Sequence, residues 1–284
     1  MKKMSVLIAA LAAMLVNTGC LENIVGKPKP GFRGSGDIET HNLGAFEYEG
    51  VRAERMVKVI VTDGDSPDVI LRADDNILEY VDIKVRDGIL IASLDSGLKK
   101  VEKCTVEVFV PWHDGLRSLE ARSAGRIESQ AVIRADEVCI DASAASKIEA
   151  EVVARRCDVR ATAASSVELE FSDGRLDAKA AGASKLTAEV EAASVDMTAA
   201  GASKIELKGA AVEAVLCAAG ASKIAASELR TVDCTVSAAG ASKVSADCSG
   251  ALDVSASGAS KIEYSGDCRI DGWHCSGASK ISCE

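Results

Sequence analysis

Polar and apolar residues alternate along the second half of the chain. In the stretch Lys204-Ile205-Glu206-Leu207-Lys208 every second side chain is apolar, as a strand with one buried face requires. A helix that began at the same isoleucine would need apolar residues where Lys208 and Gly209 stand. The pattern therefore predicts strands, although alanine, which favours helices, is abundant.

The alternation restarts at a four-residue motif, Gly-Ala-Ser-Lys, which is followed by an aliphatic residue and which we call the phrase. The phrase occurs six times, at residues 182–185, 201–204, 220–223, 240–243, 258–261 and 277–280. Looser copies lie at residues 123–126, 144–147 and 163–166. Successive copies are 18 to 21 residues apart. A fixed period over half a chain indicates a solenoid.

We interpret each period as one coil with two short strands and two turns. The glycine suits a sharp turn with positive φ, and the serine suits hydrogen bonds to local amides. The residue after the lysine is expected to point inward, as are Val212, Ala214, Leu216 and Ala218 of one second strand. The predicted fold class is all-β, a parallel β-helix with coils of about 19 residues.

The lysine of the phrase is expected to form an outward row along the stack. One interpretation is a solvated edge, neutralised in part by glutamates two positions later, at Glu149, Glu168, Glu206 and Glu263. The other is a cationic ridge that binds an anionic glycan or lipopolysaccharide. The candidate ridge residues are Lys185, Lys204, Lys223, Lys243, Lys261 and Lys280.

The N-terminus resembles a bacterial lipoprotein signal. A positive start, an apolar run at residues 6–16 and the pair Gly19-Cys20 predict a signal peptide over residues 1–19 and acylation of Cys20. Asn17 stands where leucine is usual, so an ordinary secretory signal is the alternative. Residues 20–36, rich in glycine and proline, are predicted to be a flexible tether. The predicted location is the outer membrane, on its periplasmic or surface face, with the lipid as the membrane contact.

Residues 37–115 are strand-rich without a visible repeat, and residues 116–284 carry the repeats. Strands are expected at residues 57–61, 69–71, 81–85, 89–91 and 106–110. Gly-Ser-Gly-Asp-Ile at 34–38, Asp-Asn-Ile-Leu at 75–78 and the run 85–90 resemble the auto-transporter adhesins with a head GIN domain. The resemblance implies a right-handed single-stranded parallel β-helix, similar in shape to pectin-lyase-like proteins. It also implies a surface location, a role in adhesion and no recognisable catalytic set.

Composition narrows the chemistry further. A net charge of −10 argues against nucleic acid as a partner. Nine cysteines remain after Cys20. One interpretation is that they are buried thiols, and the other is that some of them form a disulfide, for which Cys275 and Cys283 are one candidate pair. The chain has three histidines in unrelated positions and no C-x-x-C pair, so we expect neither a metal nor a cofactor.

The sequence therefore favours a non-enzymatic adhesin-like protein with an unidentified glycan or protein partner. A polysaccharide-active β-helix enzyme is the alternative, and so is a self-assembling envelope protein. No paired carboxylates stand out for hydrolysis. The C-terminal coil is a candidate site for homo-oligomers, because an open strand edge invites pairing. Trp273 is interpreted as a plug over that coil, with a ligand platform as the alternative.

Overall fold

A computed structural model describes residues 32–64, 66–98 and 101–283 of this chain. The predicted signal peptide, Cys20 and residues 20–31 of the predicted tether lie outside them. Of the described residues, 71% are in strands and 2% in helix. The elements in chain order are β1 Phe32–Arg33, β2 Ile38–Ala45, β3 Gly50–Glu54, β4 Lys58–Thr62, β5 Asp68–Asp74, a 3₁₀ helix Asp75–Tyr80, β6 Val81–Arg86, β7 Ile89–Leu94, β8 Val101–Glu102, β9 Val106–Pro111, β10 Ser118–Arg122, β11 Arg126–Ser143, β12 Lys147–Thr162, β13 Ser166–Ala181, β14 Lys185–Ala199, β15 Lys204–Ala218, β16 Lys223–Ala238, β17 Lys243–Cys248, β18 Ala251–Ala256, β19 Lys261–Ser265, β20 Arg269–Cys275 and β21 Lys280–Cys283.

The strands from β11 onward stack in parallel, one coil on the next. Lys185 of β14 lies beside Ser166 of β13 and Lys204 of β15, and the same register continues to Lys280 of β21. The result is a β-solenoid of about nine turns, with coils about 19 residues apart. The predicted β-solenoid is confirmed. Within the described residues, no helix has the length and apolar character that a membrane crossing demands.

Each regular coil has one turn and one bend, where two turns were predicted. Strand β12 runs through its whole coil, and pairing with β13 skips only Arg155, between Ala154 and Arg156. In β15 the corresponding residue is Val212, which pairs with neither neighbour. Its predicted inward position is wrong: Val212 is 54% exposed because it lies at the bend, and Ala211 is buried beside it.

The glycine of the phrase occupies the turn, as predicted. The six glycines have φ between 72° and 79°, for example 79° at Gly220. At the same position, the looser copies turn with two left-handed residues that are not glycine, such as Ala144 at 55° and Ala145 at 63°. Left-handed backbone is costly for residues with a Cβ, so the glycine copies have the less strained turn.

The serine of the phrase is buried and bonds a carbonyl, where a local amide was expected. Ser203 is 2% exposed, and its hydroxyl donates to the carbonyl oxygen of Ala180, at 2.9 Å, in the preceding coil. The equivalent hydroxyls of Ser184 and Ser222 do the same. These hydrogen bonds join successive coils at the turn, where the strand ladder is interrupted.

The aliphatic residue after the lysine is fully buried in most coils, as predicted. These residues have 0% exposure: Ile148, Val167, Leu186, Ile205, Ile224, Val244 and Ile262. In the last described coil Ile281 is half-buried. Three cysteines, Cys157, Cys234 and Cys248, are buried as thiols in the same interior.

The N-terminal part begins the same stack, which the sequence did not reveal. Strand β3 pairs with β10, and β4 pairs with β11, so that Lys58 lies directly beside Arg126. Between β3 and β4 the chain turns at Arg55 and Met56, both left-handed like the alanines of the looser copies. The stretch between β4 and β10 separates this coil from its neighbour in sequence, and it hides the repeat. All five strands expected here are present, as β4, β5, β6, β7 and β9.

Candidate functional site

The lysine row is the first candidate site, and the stack places it in register on one outward face. Lys185, Lys204 and Lys223 occupy equivalent positions of adjacent coils. The row continues through Lys243, Lys261 and Lys280. It also extends toward the N-terminus to Arg126 and Lys58, beyond the residues that the sequence identified.

Most lysines of the row form an ion pair with a glutamate that lies two residues after the lysine of a coil. The glutamate belongs either to the same coil as the paired lysine or to the next coil. Lys185 Nζ lies 2.9 Å from Glu206 Oε2, and Lys204 pairs with the same carboxylate. Lys243 and Lys261 share Glu263 in the same way. Hydrogen bonds from the two lysines lower the pKa of Glu206 to about 2, and hydrogen bonds from Lys243 and Lys261 do the same for Glu263.

Lys223 and Lys280 differ from the other lysines. The position two residues after Lys223 is Ala225, and in the next coil it is Ser245. Within the described part of the chain, neither Lys223 nor Lys280 has a carboxylate at ion-pair distance. From Lys185 to Lys280 the row therefore has six lysines beside two glutamates. The partial neutralisation predicted from the sequence is present, and a surplus of positive charge remains around Lys223.

Acidic residues line the N-terminal half of the same face. One row further along the strands, Glu151, Glu170 and Glu189 lie side by side in β12, β13 and β14. Lys208 continues that row, and its Nζ lies 2.5 Å from Glu189 Oε2. The outward face is thus acidic around β12 to β14 and more positive from β16 onward. A long anionic polymer would meet repulsion over half of its length.

A second site was missed by the sequence analysis. An aromatic pocket of about 420 Å³ opens beside the first coil, where β4 and β9 end. We use this name for the depression lined by Phe46, Glu47, Tyr48, Pro111, Trp112 and His113 together with Gly64, Ser66 and Pro67. The signal was a concentration of aromatic residues at positions 46–48 and 112–113, in a chain with only nine phenylalanines, tyrosines and tryptophans.

Internal contacts hold the aromatic pocket in shape. The buried Tyr48 hydroxyl donates to the carbonyl oxygen of Pro111 at 2.5 Å, and burial raises the Tyr48 pKa to about 12. The rings of Tyr48 and His113 meet edge to face, with centroids 4.8 Å apart. The amide of Trp112 donates to the carbonyl of Thr62 at 2.9 Å. These contacts fix three of the lining residues before any ligand arrives.

The last described coil exposes apolar side chains. Trp273 is 50% exposed and contacts Tyr264 edge to face, with ring centroids 6.4 Å apart. Ile270 is exposed on the same strand, β20. The prediction that this coil associates with another copy stays a prediction, as do both interpretations of Trp273. Among the described residues, no group of three histidine, cysteine, aspartate or glutamate side chains is placed to hold a metal ion.

The family is settled by a match over most of the solenoid. The family model described as Putative auto-transporter adhesin, head GIN domain, matches residues 47–189 and 163–268, more than half of the chain. The chain belongs to this family. This match confirms the resemblance to the head GIN domain family that the sequence indicated. Among curated proteins, none matches the sequence significantly.

Solved structures share the fold of this head GIN domain protein. A protein from Parabacteroides merdae named as a putative adhesin is 18% identical, with a TM-score of 0.62, 89% of this chain covered and 98% of the other. A protein from Parabacteroides distasonis named as lipid binding is 17% identical, with a TM-score of 0.64 and coverage of 90% and 100%. A protein from Bacteroides fragilis, also named as a putative adhesin, is 17% identical, with a TM-score of 0.51 and coverage of 89% and 100%. Such low identities establish a common fold alone.

Proposed function

We propose that this head GIN domain protein is a non-enzymatic lipoprotein of the outer membrane that binds partners at the cell envelope, in the manner of an adhesin. The observation that carries the proposal is membership of an adhesin family across the β-solenoid itself. A rigid stack with ordered rows of side chains offers an extended binding surface. Acylation of Cys20 would hold the solenoid at the membrane through the tether that follows.

The anchoring part of the proposal is tested by Cys20→Ala. Without the thiol there is no acylation site, so we expect the variant to move from the membrane fraction to the soluble envelope fraction. Cys139→Ala is the matched control, because Cys139 is an exposed cysteine of the solenoid. We expect it to stay in the membrane fraction. Membrane partitioning of Cys20→Ala equal to that of the unmodified protein would exclude lipid anchoring.

The lysine row is a second candidate binding surface, favoured by the unpaired Lys223. Reversing Lys204, Lys223 and Lys243 to glutamate should weaken retention on immobilised lipopolysaccharide by about tenfold, because three central charges change sign. The matched control reverses Arg156, Arg160 and Lys179, which are exposed beyond the bend of their coils. Equal retention of both triple variants would leave the lysine row as a solvated edge and would not affect the adhesin proposal.

A further inference from the structure

We propose that the aromatic pocket binds a neutral hexopyranose unit of a glycan. This inference deepens the proposed function, because it names a ligand class and a site for a protein that acts by binding. It rests on the lining of the pocket and not on the lysine row. The aromatic pocket and the lysine row differ in chemistry, so the proposal for one can be wrong while the proposal for the other holds.

The aromatic side chains give the first argument. Three of the nine aromatic residues of the chain, Phe46, Tyr48 and Trp112, line this one depression. The lysine row and the row of Glu151, Glu170 and Glu189, by contrast, present charged side chains to solvent. A hexopyranose has a face of C–H groups with little polarity, and such a face packs well on a flat ring. The volume of about 420 Å³ falls in the range of roughly 300–1,000 Å³ that is usual for small-molecule sites.

The polar groups at the pocket suit sugar hydroxyls. His113 Nδ1 accepts a hydrogen bond from the Gly115 amide at 3.1 Å, so Nε2 carries the ring hydrogen and can donate it. Glu47 is exposed, and its carboxylate can accept hydrogen bonds from hydroxyl groups. Each sugar hydroxyl is both a donor and an acceptor. One donor and one acceptor beside an aromatic wall can therefore orient a sugar ring.

The same lining disfavours other ligands. Glu47 is the one charged side chain of the described lining, so a uronic acid or a phosphate would meet a negative charge and no lysine or arginine. A lipid chain needs a deep apolar cavity, whereas the pocket is a surface depression. Val61 and Val110, the paired residues that precede Thr62 and Pro111, are already packed in the interior with 0% exposure. The likeness to a structure named as lipid binding is one of fold.

Contacts that exist without ligand preorganise the pocket. The Tyr48 hydroxyl and the Trp112 amide are both fixed to backbone carbonyls, those of Pro111 and Thr62. Ordering a loop on binding is costly, and a preformed wall avoids part of that cost. Sugar binding at an open site of this size is expected in the millimolar to high micromolar range.

The two tryptophans of the chain allow a direct test with the full protein. Trp112 lines the pocket and Trp273 lies in the last described coil. In Trp273→Phe the remaining indole reports on the pocket. Methyl glucoside, methyl galactoside, methyl mannoside and glucuronic acid are titrated separately while tryptophan fluorescence is recorded. We expect a saturable change with at least one methyl hexoside and a clearly weaker response to glucuronic acid.

The matched variant is Trp112→Phe, which leaves Trp273 as the sole indole. The Nε1 atom of Trp112 is buried without a hydrogen-bond partner within the described structure, so this change breaks no hydrogen bond there. We expect no fluorescence response from this variant. Binding measured by calorimetry should be unchanged in Trp273→Phe. It should be about tenfold weaker when Phe46→Ala is added to Trp273→Phe, because an aromatic contact is lost.

Several outcomes would overturn the inference. These are the absence of any response in Trp273→Phe, equal affinity for glucuronic acid, or equal calorimetric affinity in Trp273→Phe with and without the added Phe46→Ala. Quenching of Trp112 by a fatty acid but by no sugar would replace the sugar with a lipid. Adhesion of cells that carry Trp112→Phe separates the two proposals. If no sugar binds and the cells still adhere, the pocket inference fails and the proposed function stands.

Discussion

At the scale of the residue, the turn of each coil depends on one glycine and one serine. The glycine takes a left-handed φ, and the serine hydroxyl bonds the coil beneath. The sequence predicted the glycine because few other residues turn so sharply without strain. It could not show the partner of the serine. Ser222 and Ala199 are 23 residues apart and meet only when the coils stack.

Replacing Gly220 by alanine should destabilise the solenoid by about 1–2 kcal/mol, because an L residue pays for left-handed backbone. The added Cβ would also lie 3.0 Å from the carbonyl oxygen of Gly201. The matched control is Ala144→Gly, at the same turn position of a looser copy, where φ is already 55°. We expect the control to unfold at the same denaturant concentration as the unmodified protein or higher. Equal destabilisation of both variants, measured by urea unfolding, would contradict this account of the turn.

At the scale of the element, parallel strands convert a sequence repeat into rows of charge. The sequence predicted the lysine row and its glutamates, because both recur with the period of the coil. It did not predict which lysines would lack a partner. Whether a lysine has a partner depends on the residue at the glutamate position of the next coil. That residue is Glu206 for Lys185, and it is Ser245 for Lys223. The aromatic pocket is equally invisible in sequence, since it joins residues more than 60 positions apart.

The shared glutamates should make the stack sensitive to acid. The pKa of Glu263 is lowered in the folded protein to about 2 by hydrogen bonds from Lys243 and Lys261. Because the Glu263 carboxyl has a lower pKa in the folded protein, its ionised form stabilises the fold at pH values above the unfolded pKa of 4.5. This contribution is lost as the pH falls from 4.5 toward about 2. We therefore expect Glu263→Gln to be less stable at neutral pH and to lose less stability over that acid range.

Urea unfolding at several pH values measures this difference. Glu228→Gln is the control, because Glu228 is exposed and forms no ion pair within the described chain. The control should follow the pH profile of the unmodified protein. An identical loss of stability in Glu263→Gln between pH 4.5 and 2 would show that the shared ion pairs do not contribute.

At the scale of the whole molecule, the repeat predicted the β-solenoid but not its beginning. The coil of β3 and β4 belongs to the stack by pairing and by its turn at Arg55 and Met56. The inserted segment that follows it carries Trp112 and His113, and this segment builds the aromatic pocket against Phe46 and Tyr48. A regular stack thus supplies the scaffold, and the inserted segment supplies side chains that line the aromatic pocket.

The central claim is that this head GIN domain protein binds envelope or surface partners and does not convert them. The most direct measurement immobilises the full chain, passes a mixture of neutral and acidic oligosaccharides over it, and determines the masses of retained and unretained sugars. The account predicts that some oligosaccharides are retained and that every species is recovered with its mass unchanged. Shortened or unsaturated products would contradict it and would identify a polysaccharide-active enzyme.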